Sequence, residues 1–452
     1  MNKSLSRGAW LVFAVLELAL AMGFSIPQRA ARAQVDNWQL TEELDPQFAV
    51  DWIQTTYDAV RAETINPPNS ARIYGYAGVT LYEALYPGMP FNRSFVGQLN
   101  GLRDLPYPDE ALMYDWEVVA SEAMRVVLEA LFRTASEETL ATFTDMRDRS
   151  IAARIDEMGE DVINNSLEYG EELGKGIVNW IEEDNYLETR EMNPEYEIPT
   201  GDPSFWQLTT PGTNPIEPYW GTMRPFILSY AEECNIEPNF EFSTEEDSVF
   251  YQQANEVYET GNDLTQEQRD IAEWWVDTPG ITGAPAGHWM LIASQMVDLL
   301  ELDLVRTAEM YAMVGIGVAD AFISCWSLKY QVNLLRPVTY IQEYISRRWT
   351  PYIESPPFPE YPSGHSVVSG AAADVLTDLF GQVVFTDTAN TYRGLTPRQF
   401  YSFEQAALEA ATSRIYGGIH FRPAVENGVR QGRCVADVIR NNIILNPVRQ
   451  GE

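Results

Sequence analysis

Three groups of residues in the C-terminal half have the types and spacing to hold a small oxyanion. The first is Lys329 and Arg336, with Pro337 directly after. Seven residues is nearly two helical turns, so one helix would project both cations from one face about 10 Å apart. Pro337 disfavours helical geometry at Arg336 and marks the helix end. The second group is Tyr361-Pro362-Ser363-Gly364-His365, in front of a small-residue run. A helix N-terminus there would offer unpaired N–H groups and about half a positive charge. Gly364 would let the backbone approach an anion closely, and Ser363 adds a hydroxyl donor. The third is Arg414 and His420, separated by a glycine pair, Gly417 and Gly418, able to break a helix. Arg414 offers a planar fork to anion oxygens, and His420 a neutral imidazole nitrogen to a metal or phosphorus centre. Taken singly, each group also reads as ordinary structure: a helix cap, two solvated cations, a histidine at a helix end. Lys329 resists that reading. It lies in an apolar stretch beside Cys325, Trp326 and Leu328, and lysine accounts for only three of the 30 basic residues, Lys3, Lys175 and Lys329.

The elements that must position these groups are helical. Apolar residues recur at helical spacing over 45–63, 70–87, 109–132, 136–158, 159–184, 244–261, 265–277, 303–335, 365–380, 402–418 and 424–445. Residues 186–240 are rich in Pro, Gly, Thr and aromatics. They predict a long ordered loop, either a cover or the boundary between two helical halves. The pattern predicts an all-α protein of packed bundles: a helical region at 34–240 and a second at 241–452 that carries the site.

The first 33 residues read as a signal peptide. Lys3 and Arg7 give a basic start, an apolar core follows, and Ala-Arg-Ala precedes Gln34. An uncleaved anchor is the rival reading, its apolar run short for a span. No later stretch is expected to cross a membrane. Export makes the chain secreted or periplasmic. Three cysteines, Cys234, Cys325 and Cys434, allow at most one internal disulfide, fit no zinc spacing, and are expected to be buried thiols. The net charge of -36 argues against nucleic acid and anionic membranes as partners. An acidic, lysine-poor surface suits concentrated salt, where self-repulsion is screened, so the composition predicts a halophilic or marine source.

In order, the groups read K-x6-RP, PSGH and SR-x5-H. This is similar to the signature of the superfamily that joins vanadium-dependent haloperoxidases with type 2 phosphatidic acid phosphatases and bacterial acid phosphatases. The motif match covers 329–420, and a looser resemblance to soluble haloperoxidases runs over roughly 274–440. The resemblance implies a paired four-helix-bundle architecture and a bound vanadate. It assigns Lys329, Arg336 and Arg414 to the vanadate oxygens, together with Ser363 and the backbone N–H of Gly364. His420 becomes the axial ligand to the metal and His365 the acid–base residue. The physics agrees, because a buried anion needs cations gathered around it.

The same scaffold serves two reactions. With vanadate it would oxidise a halide with hydrogen peroxide to a hypohalous acid equivalent, the metal acting as a Lewis acid. With a phosphate monoester, His420 would be nucleophile and His365 general acid. Chain length and the soluble helical halves resemble the haloperoxidases. The segment 273–289 resembles one in which an aspartate bonds the acid–base histidine, which makes Asp277 the partner of His365 and would raise that histidine's pKa. Trp326 and Phe358 match aromatic positions of chloride-oxidising fungal members, suggesting a chloroperoxidase-type halide pocket; core packing is their plainer role. One departure is Ala424, where the broader motif has an aspartate to orient the axial histidine. A backbone carbonyl could orient His420 instead, or the ligand is weaker; Glu426 is nearby in sequence. His288 lies outside the motif and reads as a structural or pocket-wall residue. The implied partners are hydrogen peroxide, a halide and a small organic acceptor. The oligomeric state stays open, a homo-oligomer included. Beside the peroxidase stand an acid phosphatase and a non-catalytic oxyanion-binding protein.

Overall fold

The computed structural model describes residues 39–447, which lie within one compact unit, Asn37–Glu452. The expected signal peptide lies outside the described residues. In chain order the helices are α1 Gln47–Ala62, α2 Pro67–Leu85, α3 Trp116–Leu131, α4 Glu137–Met158, α5 Glu160–Glu182, α6 Tyr186–Met192, α7 Val249–Asn262, α8 Gln266–Trp274, α9 Ala284–Leu299, α10 Leu304–Val332, α11 Pro337–Tyr344, α12 Gly364–Phe380, α13 Phe403–Tyr416 and α14 Arg422–Asn442. Strands β1 Phe385–Asp387 and β2 Arg398–Phe400 form a small antiparallel pair between α12 and α13, with Phe385 opposite Phe400. The architecture is all-α as predicted. The pattern missed α6, α9, α11 and the hairpin. Of these, α9 begins with Ala-Pro-Ala-Gly and is buried over most of its surface, so it shows little polar–apolar alternation.

The fold is organised around α10. By length and composition this helix is apolar enough to cross a membrane, which corrects the expectation that no later stretch is. Its apolar window is wholly buried by neighbouring elements, the arrangement of a core helix. Against α2 the backbones nearly touch: a Cβ on Gly78 would lie 2.5 Å from the Tyr311 carbonyl oxygen. On the other side α12 meets α14 equally closely, a Cβ on Gly432 falling 2.0 Å from the Val367 carbonyl oxygen. Such contacts fix how deep each helix lies, and therefore where its ends emerge.

Between α6 and α7 runs the predicted loop, almost without regular structure. Asp320, fully buried in α10, accepts three backbone N–H groups from it, Phe226 at 2.6 Å, Ile227 at 2.9 Å and Leu228 at 3.0 Å. Further along, Trp206 N donates to Asn333 O (2.8 Å), and Ile216 O accepts the Trp326 indole N–H (3.1 Å) and the Tyr330 hydroxyl (2.6 Å). The loop therefore packs on the C-terminal end of α10, where Lys329 lies. A disulfide, Cys234–Cys434, ties it to α14, and Cys325 alone is a buried free thiol. The expectation of three buried thiols is thus corrected: Cys234 and Cys434, 200 residues apart, have Cα atoms at 5.6 Å.

Candidate active site

Lys329 occupies the last turn of α10 and is fully buried. Its ammonium donates to the carbonyl oxygens of Pro359 (3.1 Å), Glu360 (3.0 Å) and Pro362. The helix does not continue to Arg336 as the spacing suggested. It ends at Val332, Asn333 turns left-handed at φ 51°, and Arg336 caps the start of α11 with Pro337 in the first turn. The two cations meet through this break, not along one helix face. Arg336 is also fully buried; its Nε donates to Phe358 O and Nη1 to Ile419 O, both at 2.9 Å. Nη1 lies 3.2 Å from His420 Nε2, and Nη2 is buried with no hydrogen-bond partner among the described residues.

Arg414 enters from the last turn of α13 and donates to Ser413 Oγ (2.9 Å) and Trp275 O (2.5 Å). The glycine pair ends α13, Gly418 adopting φ +77°, and His420 follows just before α14. Ser363 caps α12 and Gly364 opens it, as predicted. Trp326 packs against the turn, 3.2 Å from where a Gly364 Cβ would lie, and its ring is 4.9 Å from that of Phe358. The Lys329 ammonium is 5.2 Å and the Arg336 guanidinium 4.8 Å from the Phe358 centroid. The predicted residues thus converge.

Burial sets the electrostatics. It lowers Lys329 to about 7, with Arg336 adding repulsion, and lowers both Arg336 and Arg414 to about 10. His420 is pushed well below the usual imidazole range by burial and then by Arg336, Lys329 and Arg414, so it presents a neutral Nε2 lone pair. Burying an uncompensated cation costs several kcal/mol, so two guanidiniums and a lysine that a bound anion would hold protonated, gathered around one imidazole in an acidic protein, suit an anion.

The orienting partner of His420 is a residue that sequence reasoning missed. Glu360, fully buried, accepts from His420 Nδ1 at 2.9 Å and from Phe421 N at 2.8 Å. Burial lifts its carboxyl to about 7 against the pull of Arg336. Neither a backbone carbonyl nor Glu426 does this work. The Ala424 carbonyl accepts from Ser363 N (3.0 Å), while Glu426 is exposed and lies 3.7 Å from Arg422. The only sequence signal for Glu360 was its place next to Tyr361 at the head of the motif.

On the far side stands His365, its side chain 17% exposed. Asp277 Oδ2 is 3.7 Å from its Nε2, beyond hydrogen-bond range. The closer partner of Asp277 is His288, whose Nδ1 lies 3.1 Å from each carboxylate oxygen. Asp277 does pull the His365 pKa upward, as expected, but the net shift is downward. Burial and then Arg414 outweigh Asp277 and hold the imidazole well below its usual range, as a neutral base.

Comparison with known proteins agrees with this geometry. The crystal structure of a bacterial vanadium-dependent iodoperoxidase superposes with a TM-score of 0.83 at 36% sequence identity, covering 89% of this chain and 97% of that one. This chain belongs to the vanadium-dependent haloperoxidases. The family description "VCPO second helical-bundle domain" matches residues 309–444, which hold every predicted site residue except Asp277. A holo-type bacterial vanadium-dependent chloroperoxidase shares the fold at a TM-score of 0.63 and 14% identity over 87% of this chain and 96% of its own. No curated protein sequence matches the chain. Within this family fold, the residues brought together are three buried basic side chains, the N-terminus of α12 and a neutral histidine.

Proposed function

We propose that this haloperoxidase binds one vanadate in the cage and oxidises halide with hydrogen peroxide, iodide in preference to chloride. The observation that carries the reading is the gathering of three buried basic side chains around His420, with Arg336 Nη1 at 3.2 Å from its Nε2 and the other ring nitrogen fixed by Glu360. The unpartnered Arg336 Nη2 and the N-terminus of α12 supply further donors, so the residues fit a tetrahedral or five-coordinate oxyanion. Lys329, Arg336 and Arg414 would hold its oxygens with Ser363 and the Gly364 N–H, and His420 Nε2 would ligate the metal. Vanadate supplies a Lewis-acidic centre for peroxide without a change of oxidation state. His365, neutral and beside the cage, accepts a proton from incoming peroxide and returns it to the departing oxygen. Trp326 and Phe358 form an apolar wall next to the cations, which desolvates a halide.

Two lines bear on the halide. The aromatic pair suggested a chloride-oxidising pocket, whereas the relative at 36% identity is described as an iodoperoxidase. Iodide is also the halide most readily oxidised. Export to an oxidising, salt-rich compartment belongs to the same reading. It is supported by the Cys234–Cys434 disulfide and the net charge of -36.

The test is titration of the vanadate-free chain with orthovanadate, followed by peroxide-dependent oxidation of iodide, bromide and chloride. Stoichiometric binding, iodide as the best substrate, and loss of binding in His420→Ala are expected. Hydrolysis of p-nitrophenyl phosphate without halide oxidation would overturn the reading in favour of a phosphatase. Neither activity would make it an oxyanion-binding protein.

A further inference from the structure

Behind His365 lies a buried group that the cage does not use. His288, on α9, is 2% exposed. Its Nδ1 faces both oxygens of Asp277 at 3.1 Å, and its Nε2 lies 2.9 Å from Asp387 Oδ2 on β1. A neutral imidazole has one N–H and one lone pair, so one of these contacts would set a lone pair against a carboxylate. Only the doubly protonated ring satisfies both. The ring stacks on Trp275, centroids 4.3 Å apart and planes 19° apart, a placement that favours a cation. Asp387 is itself fixed by the Trp274 indole N–H (2.8 Å) and Ala389 N (2.9 Å). Asp277 has φ +43°, a strained value for a non-glycine residue that its surroundings must enforce.

We propose that His288 is a positioning residue for the acid–base step: as an imidazolium clamped between Asp277 and Asp387, it holds the Asp277 carboxylate 3.7 Å from His365 and prevents it from closing into a full hydrogen-bonded ion pair. Burial would lower the His288 pKa, but the Asp277 and Asp387 carboxylates overcome this and raise it to about 10, so the clamp stays charged through neutral pH. The groups facing this cluster from other elements are His365 on α12, Arg414 on α13 and Tyr57 on α1. With His288 in place Asp277 spends its charge on it, and His365 remains a neutral base. With His288 removed, Asp277 is free to turn to His365 and hold it protonated, unable to accept a proton.

The role rests on the haloperoxidase reading, but its test does not. The tag-free chain has three histidines, so ¹⁵N-labelled imidazoles of the vanadate-free protein give three resolvable ring systems, assigned by single substitution. In the native chain both His288 nitrogens should stay protonated from about pH 6 to about pH 9. In His288→Gln the His365 titration should move up by about one pH unit or more. After vanadate loading, the acidic limb of the variant's kcat/KM profile should move by the same amount, with vanadate Kd unchanged. A neutral His288 at pH 7 in the native chain overturns the proposal even if the variant does not fold. So does a His365 titration that the substitution leaves in place. Failure to bind vanadate or oxidise halide would instead refute the functional reading and leave the ¹⁵N result standing.

Discussion

Replacing Glu360 by glutamine isolates what its charge contributes. The substitution keeps an acceptor at Oε1, so the bonds from His420 Nδ1 and Phe421 N can persist at their 2.9 and 2.8 Å separations. What is lost is the ionic character of both bonds and the negative charge that partly offsets Arg336. A bond to a charged acceptor is worth roughly 1.5–3 kcal/mol and a neutral one roughly 0.5–1.5, so the two bonds together lose about 2 kcal/mol. Part of that falls on the fold and part on the basicity of the ligand histidine. The vanadate Kd should rise on the order of 10- to 100-fold, the range found when residues that orient metal ligands are removed. The assay is quenching of tryptophan fluorescence on orthovanadate titration above about pH 8, where the carboxylate is ionised, with circular dichroism as the check on folding. Trp326 beside the cage is a suitable reporter. A folded variant with Kd within twofold of native would show that Glu360 does not tune His420 and would refute the argument.

Two further outcomes are expected. His365→Ala should leave vanadate Kd within a few-fold of native while lowering kcat roughly 10²- to 10⁴-fold, since in the proposed mechanism His365 moves a proton and does not hold the anion; a loss of vanadate binding at unchanged turnover would reverse the roles of the two motif histidines. The double substitution Cys234→Ser/Cys434→Ser should destabilise the fold by roughly 2–5 kcal/mol, since the bridge spans 200 residues; thermal melting that matches the native protein, itself unchanged by reductant, would show that the bridge does not form.

How much was legible in the sequence follows from the range of each interaction. Gly364 and Ser363 at a helix start, Pro337 behind Arg336, and Gly418 with positive φ before His420 are choices settled within a turn of chain, and the sequence determined them. Residue type likewise announced an anion site, because a lysine within an apolar helix has few other uses. Where local rules were stretched past an element boundary they failed. Lys329 and Arg336 were placed on one helix face, but the helix ends between them and the two meet across the break. The remaining decisions belong to tertiary packing. Glu360 finds His420 across 60 residues, Asp387 finds His288 across 99, and Cys234 finds Cys434 across 200. No periodicity links such partners. They meet because α10, α12 and α14 pack at depths set by close backbone contact, and those depths determine which helix ends and loops share one pocket. The same packing decided protonation. Sequence supplied the charge of Asp277, but packing gave its closer contact to His288, and burial with Arg414 outweighs it at His365.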